Sequence, residues 1–151
     1  MHLCTLRLAH QSAFAGIKHL NRLENVLARA EWSDISIAEG LLCDIGGNAI
    51  SATMSNLFIV EQGRLITPDL GQCGVAGVTR QRVLQLARRE GVSCTIEPVP
   101  LSRIYDSDEM FLLNSVIGLW PVAKLEAKTW VPGAMTARVA RWLDEDDAAF
   151  C

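Results

Sequence analysis

Asn56-Leu57-Phe58-Ile59-Val60 and Arg64-Leu65-Ile66-Thr67 are two short apolar runs separated by Glu61-Gln62-Gly63. Runs of that length around a glycine-containing turn read as a β-hairpin. Pro68 has no N–H for a ladder and stops the second strand. Asp69–Gly77, a loop with three glycines, follows, and Val78–Glu90 then reads as a helix with Val83, Leu84, Leu86 and Ala87 on its buried side. Gly91 ends that helix as a C-cap residue. Upstream, Glu39–Asp44 and Ala49–Met54 flank Ile45-Gly46-Gly47-Asn48 and read as another hairpin. Ala15–Trp32 carries Leu20, Leu23, Leu27 and Ala30 at three- and four-residue steps, the pattern of a helix with one buried stripe. Leu3–Leu8 is strand-like. Downstream, Ser93–Val99 is a strand closed by prolines, and Ser102 is placed to N-cap a short helix through Asp108. Phe111–Ile117 is a buried strand, Trp120–Leu125 continues the sheet after Gly118, and Thr136–Leu143 is a last helix. Hairpins followed by helices in one chain make an α+β, or mixed α/β, domain.

The chain has 151 residues, half of them apolar and 21% charged, which suits one packed domain and excludes disorder. A net charge of −3 with well-mixed signs does not suit a nucleic-acid binder, which needs a basic face. The acidic run Asp144-Glu145-Asp146-Asp147 reads as a frayed tail. Cys4, Cys43, Cys73, Cys94 and Cys151 are scattered and odd in number, with no C-x-x-C. That pattern argues for reduced thiols in a cytosolic protein and against a zinc site. No signal peptide is evident, and the most apolar stretch, Met110–Ala123, is interrupted by Asn114, Gly118 and Pro121. It is shorter than the ~20 residues of a membrane span.

Four places suit chemistry. Lys18, one of three lysines, precedes the helical stripe. Read alone it is a solvated surface lysine, although a buried lysine of lowered pKa would be a nucleophile. The stretch Cys73-Gly74-Val75-Ala76-Gly77-Val78-Thr79-Arg80 runs a glycine-rich loop into a helix. Free N–H groups and the helix dipole then meet at one point, which suits a phosphate or is simply how a helix begins. It has neither the G-x-G-x-x-G spacing nor a Walker Gly-Lys-Ser/Thr. Ser51–Asn56 is rich in small hydroxyl and amide side chains, and Asn114-Ser115 interrupts an apolar strand, where a buried amide needs partners. His2, His10 and His19 are too few and too clustered at one end for a metal centre.

In this order the segments resemble the fold-type IV pyridoxal phosphate enzymes, the class IV aminotransferase family. Gly16-Ile17-Lys18-His19-Leu20-Asn21-Arg22-Leu23-Glu24 with Val26-Leu27-Ala28-Arg29 is similar to the cofactor-lysine segment of its aminodeoxychorismate lyases. Asn56-Leu57-Phe58, Thr67-Pro68, Gly74–Arg80, Asp108-Glu109-Met110, Asn114-Ser115 and Pro121-Val122 follow in the family's order. The resemblance covers residues 3 to 145. It implies the large C-terminal domain of the D-amino-acid aminotransferase-like fold, a sheet with flanking helices. It also implies pyridoxal 5'-phosphate as cofactor and Lys18 as the Schiff-base lysine and proton carrier. Val78 and Thr79 would then hold the phosphate, and Ser115 and Asn114 would line the cofactor and substrate pocket. Ser51 falls where the family often has a glutamate against the pyridine nitrogen, and a hydroxyl holds that nitrogen protonated less well than a carboxylate does.

The activity implied is cleavage of 4-amino-4-deoxychorismate to 4-aminobenzoate and pyruvate in folate biosynthesis, by a cytoplasmic homodimer. Two alternatives stand beside it. One is an aminotransferase of the branched-chain or D-amino-acid type. The other is a truncated, non-catalytic domain that binds cofactor or serves assembly. The family also carries a smaller N-terminal domain ahead of the lysine, supplying an arginine to the phosphate and part of the substrate pocket. This chain, 1–151, reads as the C-terminal domain without it.

Overall fold

The computed structural model describes residues 1–148; Cys151 lies outside them. The order is β1 (His2–Leu8), α1 (Leu23–Arg29), β2 (Gly40–Asp44), β3 (Ala49–Ala52), β4 (Asn56–Glu61), β5 (Arg64–Pro68), α2 (Val78–Arg89), β6 (Cys94–Glu97), α3 (Leu101–Asp106), β7 (Glu109–Asn114), β8 (Gly118–Pro121), β9 (Lys124–Leu125), β10 (Lys128–Thr129) and α4 (Ala134–Ala148). The main sheet has five strands in the order β6-β5-β4-β7-β8; β5 and β6 are parallel and its other neighbours antiparallel. A three-stranded sheet, β1-β2-β3, pairs β1 parallel to β2, and β9 and β10 form a small hairpin.

The central hairpin forms as its sequence dictates. Gln62 and Gly63 both have positive φ, 49° and 74°, the geometry of a two-residue turn whose twist matches the strands. β4 and β7 are apolar without alternation because both of their faces are covered. Phe58, Val60, Phe111 and Leu113 pack with Val83, Leu86 and Ala87 of α2 and Val139, Trp142 and Leu143 of α4. Leu57, Ile59, Met110 and Leu112 face the opposite way, toward Leu41, Cys43 and Ala49 of the smaller sheet. Phe58 and Phe111 stack at 5.3 Å across the β4–β7 pair. A third cluster, including Cys4, Leu42, Ile50, Ala28 and Trp32, fixes α1 to the smaller sheet.

Several local expectations need correction. The helix expected over Ala15–Trp32 is only α1, seven residues long. Gly16 has a φ of +79° and spends its N–H and C=O on the glycine loop, so no right-handed helix passes through it. The leucine stripe is not inward: Leu20 is fully exposed, Leu23, Val26 and Leu27 are exposed, and only Ala28 of α1 is buried. Ser102 does not cap α3; the N-cap residue is Pro100, with a φ of −55° and no side-chain cap. Phe111–Ile117 is not one strand, because Asn114 turns the chain. The acidic run is not frayed either. Asp144–Asp147 lies within α4, where Arg82 of α2 bonds Asp146 at 2.9 Å and Asp147 at 2.6 Å.

Candidate active site

β4 begins with a polar residue in an otherwise apolar strand, and that residue builds the site. Asn56 donates from Nδ2 to the Val75 carbonyl at 2.7 Å, and its Oδ1 accepts the Gly77 N–H at 3.1 Å. Both ends of the amide therefore pin the glycine loop as it enters α2. The glycines are required by closeness. A Cβ on Gly77 would collide with Asn56 Oδ1. At Gly74, where φ is +91°, a Cβ would stand 2.7 Å from Ile50 Cγ2. Gly77 gives α2 no side-chain cap, and its first turn carries no acid. The N–H groups of Val78, Thr79 and Arg80 thus open the helix without intrahelical acceptors, at the positive end of its dipole.

The segment carrying Lys18 is tied to that loop. Gly16 donates to the Gly74 carbonyl at 2.9 Å, and Ala76 donates back to the Gly16 carbonyl at 3.0 Å. This is a parallel bridge between Gly16 and Val75. Gln11 donates to the Gln72 carbonyl at 2.8 Å. His10 bonds Asp44 at 2.9 Å, holding the start of the segment to the end of β2. Burial pushes the Asp44 carboxyl up, but its bonds with His10 and Asn48 outweigh burial and hold it below its ordinary value.

One cleft of about 760 Å³ results, walled by the Lys18 segment, the glycine loop and the β3–β4 turn. Lys18, Ser51, Val78, Thr79, Asn114 and Ser115 all line it. Lys18 is exposed and makes no hydrogen bond or ion pair among the described residues. Ser51 is buried on β3, and Thr79 is buried in the first turn of α2. Ser115 is exposed on the rim. Asn114 shapes the wall through its side chain. Nδ2 donates to the Met54 carbonyl at 3.1 Å, and Oδ1 accepts the N–H groups of Val116 and Ile117, both at 2.8 Å.

Several contributors escaped sequence reasoning. Glu39, buried, accepts from Met54 N at 3.1 Å, Ser55 Oγ at 2.8 Å and Thr53 Oγ1, fixing the turn that floors the cleft. Asn25 donates to the Thr53 carbonyl at 2.9 Å. The one available signal was a polar residue at the head of an apolar strand, Asn56 opening β4 and Glu39 just before β2. His19 also lines the cleft, with Phe14 edge-on at 5.6 Å. Cys73 is in the wall, but burial first, then the charges of Asp44 and Glu24, push its thiol up to about 11, so it stays protonated near neutrality. Cys4, Cys43, Cys73 and Cys94 are free. Among the described residues no group of three metal-ligating side chains occurs, and no helix is long and apolar enough to cross a membrane.

The features fit a phosphate-bearing cofactor with a carbonyl group: uncapped amides in a glycine cradle, and an amine tied to the same loop. Comparison with known proteins agrees. The family model "Amino-transferase class IV" matches residues 1–125. An aminodeoxychorismate lyase of Vibrio harveyi is 38% identical over 125 residues, 83% of this chain and 46% of its own length. A putative branched-chain-amino-acid aminotransferase of Methanocaldococcus jannaschii is 34% identical over 74% of this chain and 39% of its own. The crystal structure of 4-amino-4-deoxychorismate lyase from Pseudomonas aeruginosa superposes with a TM-score of 0.94 and 45% identity, over 97% of this chain and 54% of that one. An aminotransferase from Brucella abortus, bound to the cofactor PLP, superposes with a TM-score of 0.73 and 26% identity, over 81% of this chain and 44% of that one. The chain spans about half the length of the curated relatives it matches. With the match running through the lysine segment, the glycine loop and the strands that join them, the chain belongs to the class IV aminotransferase family.

Proposed function

We propose that this chain is the pyridoxal-phosphate-binding part of a lyase that converts 4-amino-4-deoxychorismate to 4-aminobenzoate and pyruvate. The observation that carries the reading is the Gly16–Val75 bridge, which ties the Lys18 segment to the loop opening α2. The similarity to two lyases, at 38% and 45% identity, supports the choice of reaction.

In this reading the N–H groups of Val78 and Thr79 and the Thr79 hydroxyl bind the phosphate at the helix N-terminus. Lys18 Nζ attaches the cofactor and then carries the proton from the substrate α-carbon as general base. Bound there, pyridoxal phosphate supplies an electron sink for the charge left on that carbon. Ser51 offers the ring nitrogen a neutral hydroxyl instead of a carboxylate, which suits a site with weaker electron withdrawal. Asn114 holds the Met54 carbonyl and the Val116–Ile117 turn, so it orients the substrate wall.

A second reading, an aminotransferase for branched-chain amino acids, is favoured by the Methanocaldococcus jannaschii relative. Incubation with 4-amino-4-deoxychorismate, and separately with amino and keto acids, distinguishes the two. Release of 4-aminobenzoate supports the lyase, while keto-acid exchange without it replaces that reading. We further propose that an N-terminal domain completes the site with an arginine at the phosphate and a second pocket wall, within a cytoplasmic homodimer. Supporting this, apolar Phe14, Leu23 and Val78 of the cleft lining stand exposed, as do Ile17 and Leu20 on the Lys18 segment. The 151-residue chain alone is then expected to release little 4-aminobenzoate, and fusion to that domain to restore the reaction.

A further inference from the structure

Arg80 is 5% exposed, yet it forms no ion pair among the described residues. Its guanidinium is satisfied by neutral groups only. Nε donates to Thr67 Oγ1 at 3.0 Å and Nη2 to the Pro68 carbonyl at 2.9 Å, while the Thr67 hydroxyl donates onward to the Leu57 carbonyl at 2.9 Å. An arginine stays charged in such a place, and a buried charge without a counter-ion is costly. The location raises that cost. Arg80 is the third residue of α2, where the helix dipole is already positive and the first turn has no acid. Burial disfavours its charge; Asp69 favours it without bonding it, and the Cys94 thiol, pushed up to about 11 by burial, is protonated near neutrality. The cleft wall ends at Thr79, so Arg80 stands behind the open amides without reaching the cavity. A cation at the positive end of a helix is out of balance until an anion joins it.

We propose that Arg80 is a positioning residue for the cofactor phosphate: its buried guanidinium raises the positive potential at the Val78 and Thr79 amides and locks α2 to the end of β5. The inference rests on the cofactor reading above and adds to it a residue that touches no ligand. Two consequences separate charge from scaffold. Loss of the charge weakens ligands that carry a phosphate and spares those that do not. A change that keeps the charge but loses one hydrogen bond leaves that discrimination in place.

The test is absorbance titration of the full 151-residue chain with pyridoxal phosphate and with pyridoxal, for the wild type, Arg80→Met, Arg80→Lys and Thr67→Val. Thermal melts with and without inorganic phosphate accompany it. Arg80→Met is expected to weaken pyridoxal phosphate about tenfold, leave pyridoxal unchanged, and lose the rise in melting temperature that phosphate gives the wild type. Arg80→Lys and Thr67→Val are expected to keep the preference for the phosphorylated form. Equal weakening of both ligands by Arg80→Met overturns the proposal. Should Arg80→Met fail to fold, loss of phosphate preference in both charge-retaining variants overturns it instead. A wild type that does not prefer pyridoxal phosphate over pyridoxal removes the cofactor reading itself, a distinct outcome.

Discussion

The amide of Gly16 donates to the carbonyl of Gly74 at 2.9 Å, joining the Lys18 segment to the glycine loop. The bond exists because Gly16 holds a φ of +79°, open to glycine and strained for a branched side chain. Gly16→Val is therefore expected to cost about 1–2 kcal/mol of local backbone energy. The damage should fall on the lysine segment, with the main sheet intact. A lowered affinity for pyridoxal phosphate with an unchanged far-UV spectrum checks this; unaltered affinity contradicts it.

Lys18 is one of three lysines, and the other two, Lys124 and Lys128, lie on the β9–β10 hairpin, outside the cleft. Borohydride reduction in the presence of pyridoxal phosphate is expected to label Lys18 alone. Peptide mapping reads the result, and label spread evenly over the three lysines removes the assignment. Lys18→Ala should abolish turnover in the complete enzyme, because attachment and proton transfer both depend on that amine.

Thr79 is buried in the first turn of α2, and its hydroxyl makes no hydrogen bond among the described residues. Replacing it with the near-isosteric valine removes one donor and little volume. Cofactor affinity should fall by about 1.5–3 kcal/mol, the scale of a hydrogen bond to a charged group. The comparison of Kd values should be made with pyridoxal alongside, whose affinity should not move.

Glu31 ties the end of α1 to β1, accepting from Thr5 N at 2.6 Å, Leu6 N at 2.9 Å and His2 Nε2 at 3.3 Å. Burial pushes its carboxyl up, but the Thr5 and Leu6 amides outweigh it and bring the pKa down to about 2, from an ordinary 4.5. A carboxyl lowered by folding contributes stability above its unfolded pKa and loses it as pH falls toward the folded value. The chain should therefore lose stability between pH 4.5 and pH 2. Glu31→Gln should be less stable at neutral pH and show a flatter acid limb in thermal melts. An equally steep limb in the variant assigns the acid sensitivity to other carboxylates.

How far the sequence could be read depended on whether cause and effect were neighbours along the chain. The Gln62-Gly63 turn, the arrest at Pro68 and the register of apolar residues in α2 are local, and each formed where its residues indicated. The α1 region misled for a physical reason. Leucine periodicity shows that a face is apolar, not that the same chain covers it, and Gly16 was already committed to the loop beyond Gly74. The cleft's lining was readable as a set, since Lys18, Ser51, Val78, Thr79, Asn114 and Ser115 line one space. The supports were not: Asn56 on Val75 and Gly77, Glu39 under Thr53–Ser55, and Arg80 against Thr67 all join parts of the chain that only the fold brings together. The acidic run was misjudged in the same way, because Arg82 lies on another helix.

The uncovered leucine stripe also has a calorimetric consequence. Unfolding raises heat capacity mainly by wetting apolar surface, and here Leu20, Leu23, Val26 and Leu27 are wet before unfolding begins. Melting this chain should add less heat capacity per residue than the ~12–15 cal/mol/K of domains that bury such residues. Any association that covers the stripe should carry a negative heat-capacity change of its own. The native chain thus holds in reserve part of the solvent-release entropy that folding ordinarily spends, available at the moment its surface is covered.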